Sequence, residues 1–355
     1  MLSSDGRGGS SESYFINKTG YEMFDVTRAF GLALSIEGLT YEGVRTRITD
    51  WGRAFAITVT GTKKDVPDPQ LFADDSVWQR VFATHRERKD SKKSHPKEDI
   101  KRILTDRYEE TLSEHSNPLF NPKIGRSIAD GRTFYQSMDI SAAKGLREEK
   151  KSATYSEGTQ LLVDPLSWAV SCLGHAFFVS TYRPSDFILT LVPNPSDIQF
   201  LHHRQIKKDL DSETVCRASA GVALAHYATK LVRTIALRKD TKAEYESVVY
   251  NLQRRTGQQP KPSGGGRYGL DFLVRLACQP RGVDALAWID RTISLGWRKG
   301  IRQDMASSLS DLIGHPDATS LKRFASLSAR AQAKGEASPW EREVFEEVIR
   351  NVKHV

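Results

Sequence analysis

The sequence predicts an α+β protein in which a mixed N-terminal domain is followed by a C-terminal bundle of helices. Two observations predict this division. Residues 53–60 are rich in β-branched and aromatic residues and are followed by Gly61, a pattern typical of a strand. Residues 267–355 carry short apolar patterns at helical spacing, separated by Gly and Pro, which indicate several short helices. A chain of 355 residues is long enough for two or three domains.

The first part of the chain is predicted to contain a leader, a helix and two strands. Residues 1–13 are rich in Gly and Ser, so we expect a flexible leader. A helix follows, with Asp25 as its candidate cap. Residues 41–50 and 53–60 are the expected strands. We assign residues 14–255 as a whole to one mixed α+β domain, whose expected partner follows from the charge balance and the resemblance below.

Four further elements are expected before the bundle. Asp164 is suited to cap a helix, and Pro165 is suited to its first turn. Residues 187–192 are apolar and end at a Pro, which predicts a buried strand. The apolar spacing also predicts a long helix over residues 212–237 and a second helical stretch over residues 245–255.

A linker is predicted between the two parts of the chain. Residues 256–266 consist mostly of Gly, Pro and polar residues, a composition typical of linkers. The bundle then occupies residues 267–355, where we expect five helices. Asp317 is a candidate cap of the fourth helix. The segment from Ser338 to Glu341 forms a capping-box pattern with Pro at the first helical position, which predicts the start of the last helix.

The charge balance favours a polyanionic partner. The chain has 52 Lys and Arg against 44 Asp and Glu, which gives a net charge of +8. The isoelectric point of about 9.3 lies in the range where nucleic-acid binding is suspected. The excess is modest, so the alternative that it serves solubility alone remains open at this stage.

The cysteines and the hydropathy indicate a reducing compartment and no membrane partner. Cys172, Cys216 and Cys278 lie far apart without metal-ligand spacing, and their odd number argues against a disulfide framework. We therefore expect a cytoplasmic location. No apolar run approaches the roughly 20 residues that a membrane-spanning helix needs.

A search for catalytic chemistry finds no cluster. His202 and His203 are adjacent, so their side chains point in different directions and are poorly placed to share a metal. His175 and His226 lie among apolar residues and are interpreted as core histidines. Nucleophile-elbow, P-loop and H-E-x-x-H patterns are absent. We therefore assign no catalytic or metal-binding residue and expect no cofactor.

Three regions of the chain together resemble a known family. Residues 268–273, 320–324 and 338–340, with residues 21–33 and the rhythm of residues 164–195, resemble the large subunits of type I CRISPR surveillance complexes (Cascade). The tails of those subunits are helical bundles with a Phe-bearing helix and a terminal helix introduced by a small residue and Pro. The likeness is a pattern spread over most of the chain, and the chain is short for that family.

The resemblance implies a non-catalytic, DNA-binding role in antiviral defence within a cytoplasmic ribonucleoprotein complex. The N-terminal domain would recognise a protospacer-adjacent motif (PAM) and help open the duplex into an R-loop. The helical end would line the path of the displaced strand or contact the guide RNA complex, because pairing with guide RNA supplies the long-sequence specificity. The implied partners are target double-stranded DNA and its displaced strand, the CRISPR guide RNA complex, other Cascade subunits and a recruited helicase-nuclease.

Candidate DNA-binding residues are chosen by their chemistry, because no short motif transfers a residue from the family. Asn17 and Lys18 are candidates for a base edge or a phosphate. The candidates for gripping duplex backbone are Lys123, Arg126 and Arg132. The candidates for a single-strand path are Arg254, Arg255, Lys261, Arg298, Lys299, Arg302, Lys322 and Arg323.

Two other functions remain open on the sequence alone. One is a nucleic-acid-processing enzyme with a dispersed site around Asp164, His175 or His202, since catalytic groups need not be neighbours in sequence. The other is a scaffold subunit that touches only protein. Turnover of nucleic acid with a divalent metal distinguishes the first, and salt-dependent DNA binding distinguishes the second.

Overall fold

The chain folds as a mixed α+β protein with sheet strands towards its N-terminus and helices towards its C-terminus, as the sequence predicts. The structure is a computed structural model. It describes residues 11–37, 44–61, 69–78, 81, 96–125, 127–133, 162–238, 243–256, 259–336 and 342–353.

The chain divides into two compact units that do not coincide with the predicted domains. The first unit contains Met1–Thr181 and Pro195–Leu201, and the second contains Tyr182–Asn194 and His202–Val355. The predicted domain over residues 14–255 therefore includes parts of both units. The physical reason is that the helix Ala220–Leu237 packs on helices of the C-terminal bundle and belongs with them.

The first unit contains an antiparallel sheet in the strand order β1-β3-β2-β8. Strand β8 contributes only its last residues to this unit, where Asp197–Gln199 pair with Arg47–Thr49 of β2. The bounds of these strands are β1 Ser11–Asn17, β2 Arg45–Asp50, β3 Ala54–Thr60 and β8 Phe187–Gln199.

Two helices of the first unit pack at close range through glycines. Helix α1 (Glu22–Glu37) and helix α5 (Pro165–Phe178) meet at Gly31 and Gly174. A Cβ atom built on Gly31 would lie 1.9 Å from the carbonyl oxygen of Val170, so only glycine fits there. The unit also contains α2 Asp75–Trp78, α3 Pro96–Asp106, α4 Tyr108–Ser116, a 3-10 turn Pro69–Phe72 and a small sheet of β4 Ile124–Gly125, β6 Leu162–Val163 and β5 Arg132–Thr133.

The second unit joins strands to a helical bundle. The chain enters it within the short strand β7 (Ser180–Tyr182), and its strands follow the order β8-β9-β10. Strands β9 (Ala243–Thr256) and β10 (Gln259–Gly269) form a long antiparallel hairpin. The helices are α6 Phe200–Ser212 from His202 onward, α7 Ala220–Leu237, α8 Asp271–Ala277, α9 Gly282–Ser294, α10 Ile301–Gly314, α11 Ala318–Ala333 and α12 Arg342–Lys353, with a 3-10 turn at Leu295–Trp297.

The five predicted C-terminal helices are confirmed as α8 to α12. Four of them bury an apolar residue completely, namely Leu273, Ile289, Leu309 and Phe324. Asp317 caps α11 as expected, since its carboxylate accepts the Ser320 N–H at 2.7 Å. The expected start of the last helix at 338–341 lies outside the described residues, and α12 is described from Arg342.

The predicted helix over residues 245–255 is wrong, because these residues lie in strand β9. Ala243, Tyr245 and Ser247 are buried, whereas Glu244 and Glu246 are exposed, which is the two-residue period of a strand with one face inward. The Val-Val-Tyr run that follows has the β-branched and aromatic composition of a strand. Apolar spacing at three and four residues had favoured a helix.

The predicted linker over residues 256–266 is also wrong, because Gln259–Gly269 form strand β10. This strand lies at the edge of the sheet, with β9 as its neighbour. An edge strand tolerates Pro260 and Pro262 because one side of its backbone needs no ladder hydrogen bond. The pairing register shifts between Pro262 and Gly264, which accommodates the glycines in a bulge.

Smaller predictions have mixed outcomes. Residues 11–13 of the expected leader belong to β1, and residues 1–10 lie outside the described residues. The long helix begins at Ala220 instead of residue 212. Asp164 caps α5 as predicted, because its carboxylate accepts the Ser167 N–H at 2.8 Å. Asp25 lies inside α1 and accepts hydrogen bonds from the N–H groups of Thr19 and Gly20 that precede the helix.

None of the helices within the described residues combines the length and apolar character needed to span a membrane.

Candidate nucleic-acid interface

Three candidate residues come together at the loop end of the β9–β10 hairpin. Arg254 and Arg255 are exposed near the end of β9. The register places Lys261 of β10 directly opposite Arg254. Because neighbouring residues of a strand face opposite sides, Arg254 and Arg255 project from the two faces of the hairpin. The hairpin therefore carries positive charge on both faces at this end.

A fourth basic residue joins this end from a distant part of the sequence. The Arg255 N–H donates to the carbonyl oxygen of Asp186 at 3.0 Å, which ties β9 to the turn before β8. That turn contains Arg183, which is exposed. Partial burial, and then the positive charge of Arg255, lower the pKa of the Arg183 guanidinium. We call Arg183, Arg254, Arg255 and Lys261 the basic hairpin end.

The basic hairpin end concentrates like charge. Two basic residues opposite each other in a sheet register are unfavourable without a counter-charge. Asp186 is the acidic residue closest in the chain to Arg183, and its carbonyl holds Arg255. Within the described part of the chain, neither Arg254 nor Arg255 makes an ion pair. The arrangement is suited to an anion that reaches several cations at once.

Two further candidates lie at an exposed turn of the bundle. Arg298 and Lys299 are exposed between the 3-10 turn and α10. The Arg298 guanidinium lies over the Trp297 ring, 5.2 Å from its centroid. Trp297 is itself 67% exposed. This turn therefore combines cations with an aromatic surface.

The remaining bundle candidates are divided between the two ends of α10. Arg302, in its first turn, donates its Nε–H to the carbonyl oxygen of Glu336 at 2.9 Å. Arg323 of α11 pairs with Asp311, near the other end of α10, at 3.2 Å. Lys322 is exposed beside Arg323. Helix α10 has 14 residues, about 20 Å, so Lys322 and Arg323 do not share a surface with the Arg298 turn.

Asn17 and Lys18 are used inside the first unit. The Asn17 amide nitrogen donates to the carbonyl oxygens of Pro118 and Phe120 at 2.8 and 2.7 Å. The Lys18 ammonium donates to both carboxylate oxygens of Asp50, at 2.7 and 2.6 Å. Both side chains thus fix loops of the protein, which leaves them poorly placed for a base or a phosphate.

The duplex candidates of the first unit have different surroundings. Lys123 is exposed, and its backbone N–H donates to the Asp164 carboxylate at 2.9 Å. Arg132 is half-buried, 3.6 Å from Asp99 and 6.0 Å from the centroid of the Trp168 ring. Arg126 lies outside the described residues. Among the candidates described in this unit, Lys123 is therefore the exposed cation.

Beneath the Asn17 loop lies a buried ion pair. Arg28 is fully buried and donates to Asp25 at 2.9 Å and to the Asn17 carbonyl oxygen at 2.5 Å. Burial raises the pKa of Asp25, although Arg28 and the hydrogen bonds from Thr19 oppose that shift. This pair holds the start of α1 against the end of β1 and leaves no charge for a surface partner.

His226 pairs with an aspartate, as catalytic histidines often do, but both of its ring nitrogens are bonded within the protein. Its Nε2 lies 2.6 Å from the Asp290 carboxylate. Its Nδ1 accepts the Cys216 N–H at 2.8 Å, so Nε2 carries the proton and donates to Asp290. Partial burial raises the pKa of Asp290, but hydrogen bonds from His226 and Lys230 outweigh it and lower that pKa to about 2. Both ring nitrogens serve the fold, which leaves none to accept a substrate proton.

Within the first unit, the two residues of the enzyme alternative do not converge. Asp164 and His175 lie 11 residues apart on α5, about 16 Å along the helix. His202, the third residue of this alternative, is half-buried on α6. Its neighbour His203 bonds to the buried Tyr245 hydroxyl at 2.7 Å, and burial lowers the pKa of His203 to about 3. Among the described residues, no three or more His, Cys, Asp or Glu side chains form a group that could hold a metal ion.

Sequence reasoning missed Arg183 and Trp297. Arg183 is about 70 residues from Arg254, and only the hydrogen bond between β9 and the turn before β8 brings them together. Trp297 did have a signal, because it stands between glycines and directly before two basic residues in Gly296-Trp297-Arg298-Lys299-Gly300. That pattern is typical of a turn that exposes its central residues.

The chain is similar to an archaeal protein. No family model matches the chain. The chain is 29% identical over 360 residues to a protein of Archaeoglobus fulgidus that is described as an uncharacterized protein. The alignment covers 95% of this chain and 97% of the archaeal protein, so the similarity spans both units.

Proposed function

We propose that the protein is a non-catalytic nucleic-acid-binding subunit that contacts the phosphate backbone of duplex DNA through the basic hairpin end. The observation that carries this proposal is the convergence of Arg183, Arg254, Arg255 and Lys261 on one end of a hairpin. A net charge of +8 supports it, because a basic surface attracts a polyanion and releases condensed counterions on binding.

The hairpin suits phosphate contact better than base reading. Arginines on its two faces can reach phosphates that lie along a strand of the duplex. Contacts of this kind set position and affinity but carry little sequence information. We therefore expect the hairpin to contribute to DNA binding irrespective of sequence.

The fuller proposal is the large subunit of a type I CRISPR surveillance complex. It is supported by the resemblance of residues 21–33, 164–195 and 268–340 and by a fold that has the expected α+β class with a C-terminal helical bundle. In this proposal the first unit recognises the PAM and helps open the duplex. The partners are the guide RNA complex, other Cascade subunits and a recruited helicase-nuclease, all in the cytoplasm.

A salt titration tests the hairpin proposal. Binding of a fluorescent 30-base-pair duplex would be measured at four or more salt concentrations for the wild-type chain and for Arg254→Gln/Arg255→Gln. We expect the slope of log affinity against log salt to fall by about two in the variant, since two phosphate contacts are lost. Arg254→Lys/Arg255→Lys keeps the charges and should retain most of the slope.

A matched control separates the hairpin from general charge. Arg275→Gln/Arg330→Gln removes two other exposed arginines of the same unit and should leave the slope near its wild-type value. A wild-type chain that binds no duplex would contradict the nucleic-acid proposal and favour a protein-only scaffold. If both double Gln variants lower the slope by the same amount, the hairpin is not the specific DNA contact.

The CRISPR part of the proposal needs its own experiment. The full chain would be purified from its native cells with its partners, and the RNA that copurifies would be sequenced. We expect short RNAs that carry repeat-derived ends around variable spacers. If the cells express such RNAs and none copurifies with the chain, this part of the proposal is contradicted. The result for the hairpin would not be affected.

A further inference from the structure

An exposed tryptophan stands at the turn between α9 and α10. Trp297 ends the 3-10 turn Leu295–Trp297, and 67% of its surface is exposed. Tryptophan is usually largely buried, because its ring is the largest apolar side chain. An exposed tryptophan ring at this turn is therefore a candidate contact for a ligand or partner.

The turn that presents Trp297 is held firmly against the bundle. Gly296 is buried, and a Cβ atom placed on it would lie 2.5 Å from the Cβ of Ala306. Only glycine allows this approach, so the backbone beside Trp297 is seated directly on α10. The Arg298 N–H also closes the turn by donating to the Leu295 carbonyl oxygen at 3.0 Å. Since the seat is on the Gly296 side, the neighbouring Trp297 ring is directed outward.

One basic residue covers the exposed ring, and others lie close to it in the sequence. The Arg298 guanidinium lies over it at 5.2 Å from the centroid, and Lys299 is exposed next in sequence. Arg302 bonds to the Glu336 carbonyl oxygen, which brings the end of α11, with Lys334, to the start of α10. The acidic residues of these same segments are Asp304 and Glu336, so the basic residues outnumber them.

We infer that Trp297, Arg298 and Lys299 form a stacking platform for single-stranded nucleic acid. This inference rests on the proposed nucleic-acid-binding function and adds the form of the ligand. A flat aromatic surface stacks an unpaired base, and adjacent cations bind the phosphates on either side of it. A duplex cannot use the ring in this way, because its bases are already stacked on one another.

The ring and the cations make separable contributions. Stacking requires a base but no particular sequence, because each base has an aromatic face. The cations require only phosphates and so respond to salt. A strand that keeps its phosphates but lacks bases should therefore lose the contribution of Trp297 alone.

The test compares strands with and without bases. Binding of the full chain to fluorescent (dT)20 and to a 20-nucleotide abasic strand would be measured at one moderate salt concentration. We expect Trp297→Ala to weaken (dT)20 binding by about 5- to 100-fold and to leave abasic binding unchanged. Trp297→Phe should restore part of the loss because it keeps an aromatic face.

Two controls identify the source of each effect. Leu237→Ala removes another exposed apolar side chain of the same unit, 58% exposed, and should change neither affinity. Arg298→Gln should weaken both strands and reduce the salt slope by about one. A parallel series with (U)20 RNA distinguishes the two sources of a single strand, a displaced DNA strand or an RNA.

Each outcome bears on the inference. Unchanged binding of both strands by Trp297→Ala, or equal losses on both, would overturn it and leave the turn as a contact for another protein. The duplex result with Arg254→Gln/Arg255→Gln is measured on a different ligand and different residues. The stacking platform can therefore fail while the hairpin proposal stands, and wild-type binding to neither ligand would end both.

Discussion

Lys18 in the first unit and Arg254 in the second carry the same charge in opposite surroundings. The Lys18 ammonium is held by Asp50 and lies 4.5 Å from the centroid of the Phe55 ring, whereas Arg254 is exposed opposite a second basic residue. In the first unit, Asn17 and Lys18 thus stabilise loops. In the second, several stand at the surface. The difference teaches that a basic residue is informative about a partner only once its own neighbours are known.

The largest effect should come from the buried pair of the first unit. Asp25→Ala leaves the fully buried Arg28 without its carboxylate, and we expect a loss of about 3–5 kcal/mol in the free energy of unfolding. Urea denaturation followed by circular dichroism measures it. Asp25→Ala/Arg28→Met removes both charges and should recover part of the loss. A loss of less than about 1 kcal/mol in Asp25→Ala would contradict the structural role assigned to this buried ion pair.

Acid should weaken the first unit through His115. Burial lowers the pKa of His115 to about 4, although its hydrogen bond to the Thr111 carbonyl opposes the shift. Below about pH 6.5 the unfolded chain protonates His115, whereas the folded chain does so only near pH 4. The free energy of unfolding is therefore highest above about pH 6.5 and falls by about 3 kcal/mol as the pH is lowered towards 4. Urea titrations at several pH values should show a shallower fall for His115→Leu. Identical pH profiles for the two proteins would contradict the shift.

A moderate effect is expected at Lys18. Lys18→Met should cost about 1–3 kcal/mol of unfolding free energy, because it removes two charge-assisted hydrogen bonds to Asp50. Duplex affinity should not change at temperatures where the variant is folded. Thermal unfolding and duplex binding, measured on one preparation, check both statements. A variant with wild-type stability and weakened DNA binding would make Lys18 a DNA contact after all.

The smallest effect should have the opposite sign. Arg254→Thr removes one member of a basic cross-strand pair and places a strand-favouring residue there, so stability should rise by about 0.2–1 kcal/mol. Duplex affinity should fall in the same variant. Arg330→Thr is a matched control, since Arg330 is exposed on α11. A loss of stability in Arg254→Thr would mean that the arginine stabilises the hairpin itself.

Helix α5 and the helices of the bundle could be predicted because their signals are local. Caps such as Asp164 and Asp317 and apolar residues at helical spacing lie within one turn of each other in sequence. The β9–β10 hairpin could not, because Pro260, Pro262 and the glycines are compatible with a strand only at a sheet edge beside β9. The edge position depends on the sheet order, which no local pattern contains.

The candidate site could be predicted only in part. Arg254, Arg255 and Lys261 were candidates because of their positive charge. Arg183 joins them only through the hydrogen bond from Arg255 to Asp186. The opposite error occurred at Asn17, whose partners Pro118 and Phe120 lie about 100 residues away. Neither contact can be read from composition.

The most direct test compares the duplex salt dependence of two double variants, one from each unit. Lys18→Ala/Arg132→Ala removes cations that have acidic partners in the first unit, and Arg254→Ala/Arg255→Ala removes cations of the basic hairpin end. We predict a wild-type slope for the first variant and a slope smaller by about two for the second. A reduced slope in the first variant with an unchanged slope in the second would contradict the assignment of DNA contact to the hairpin.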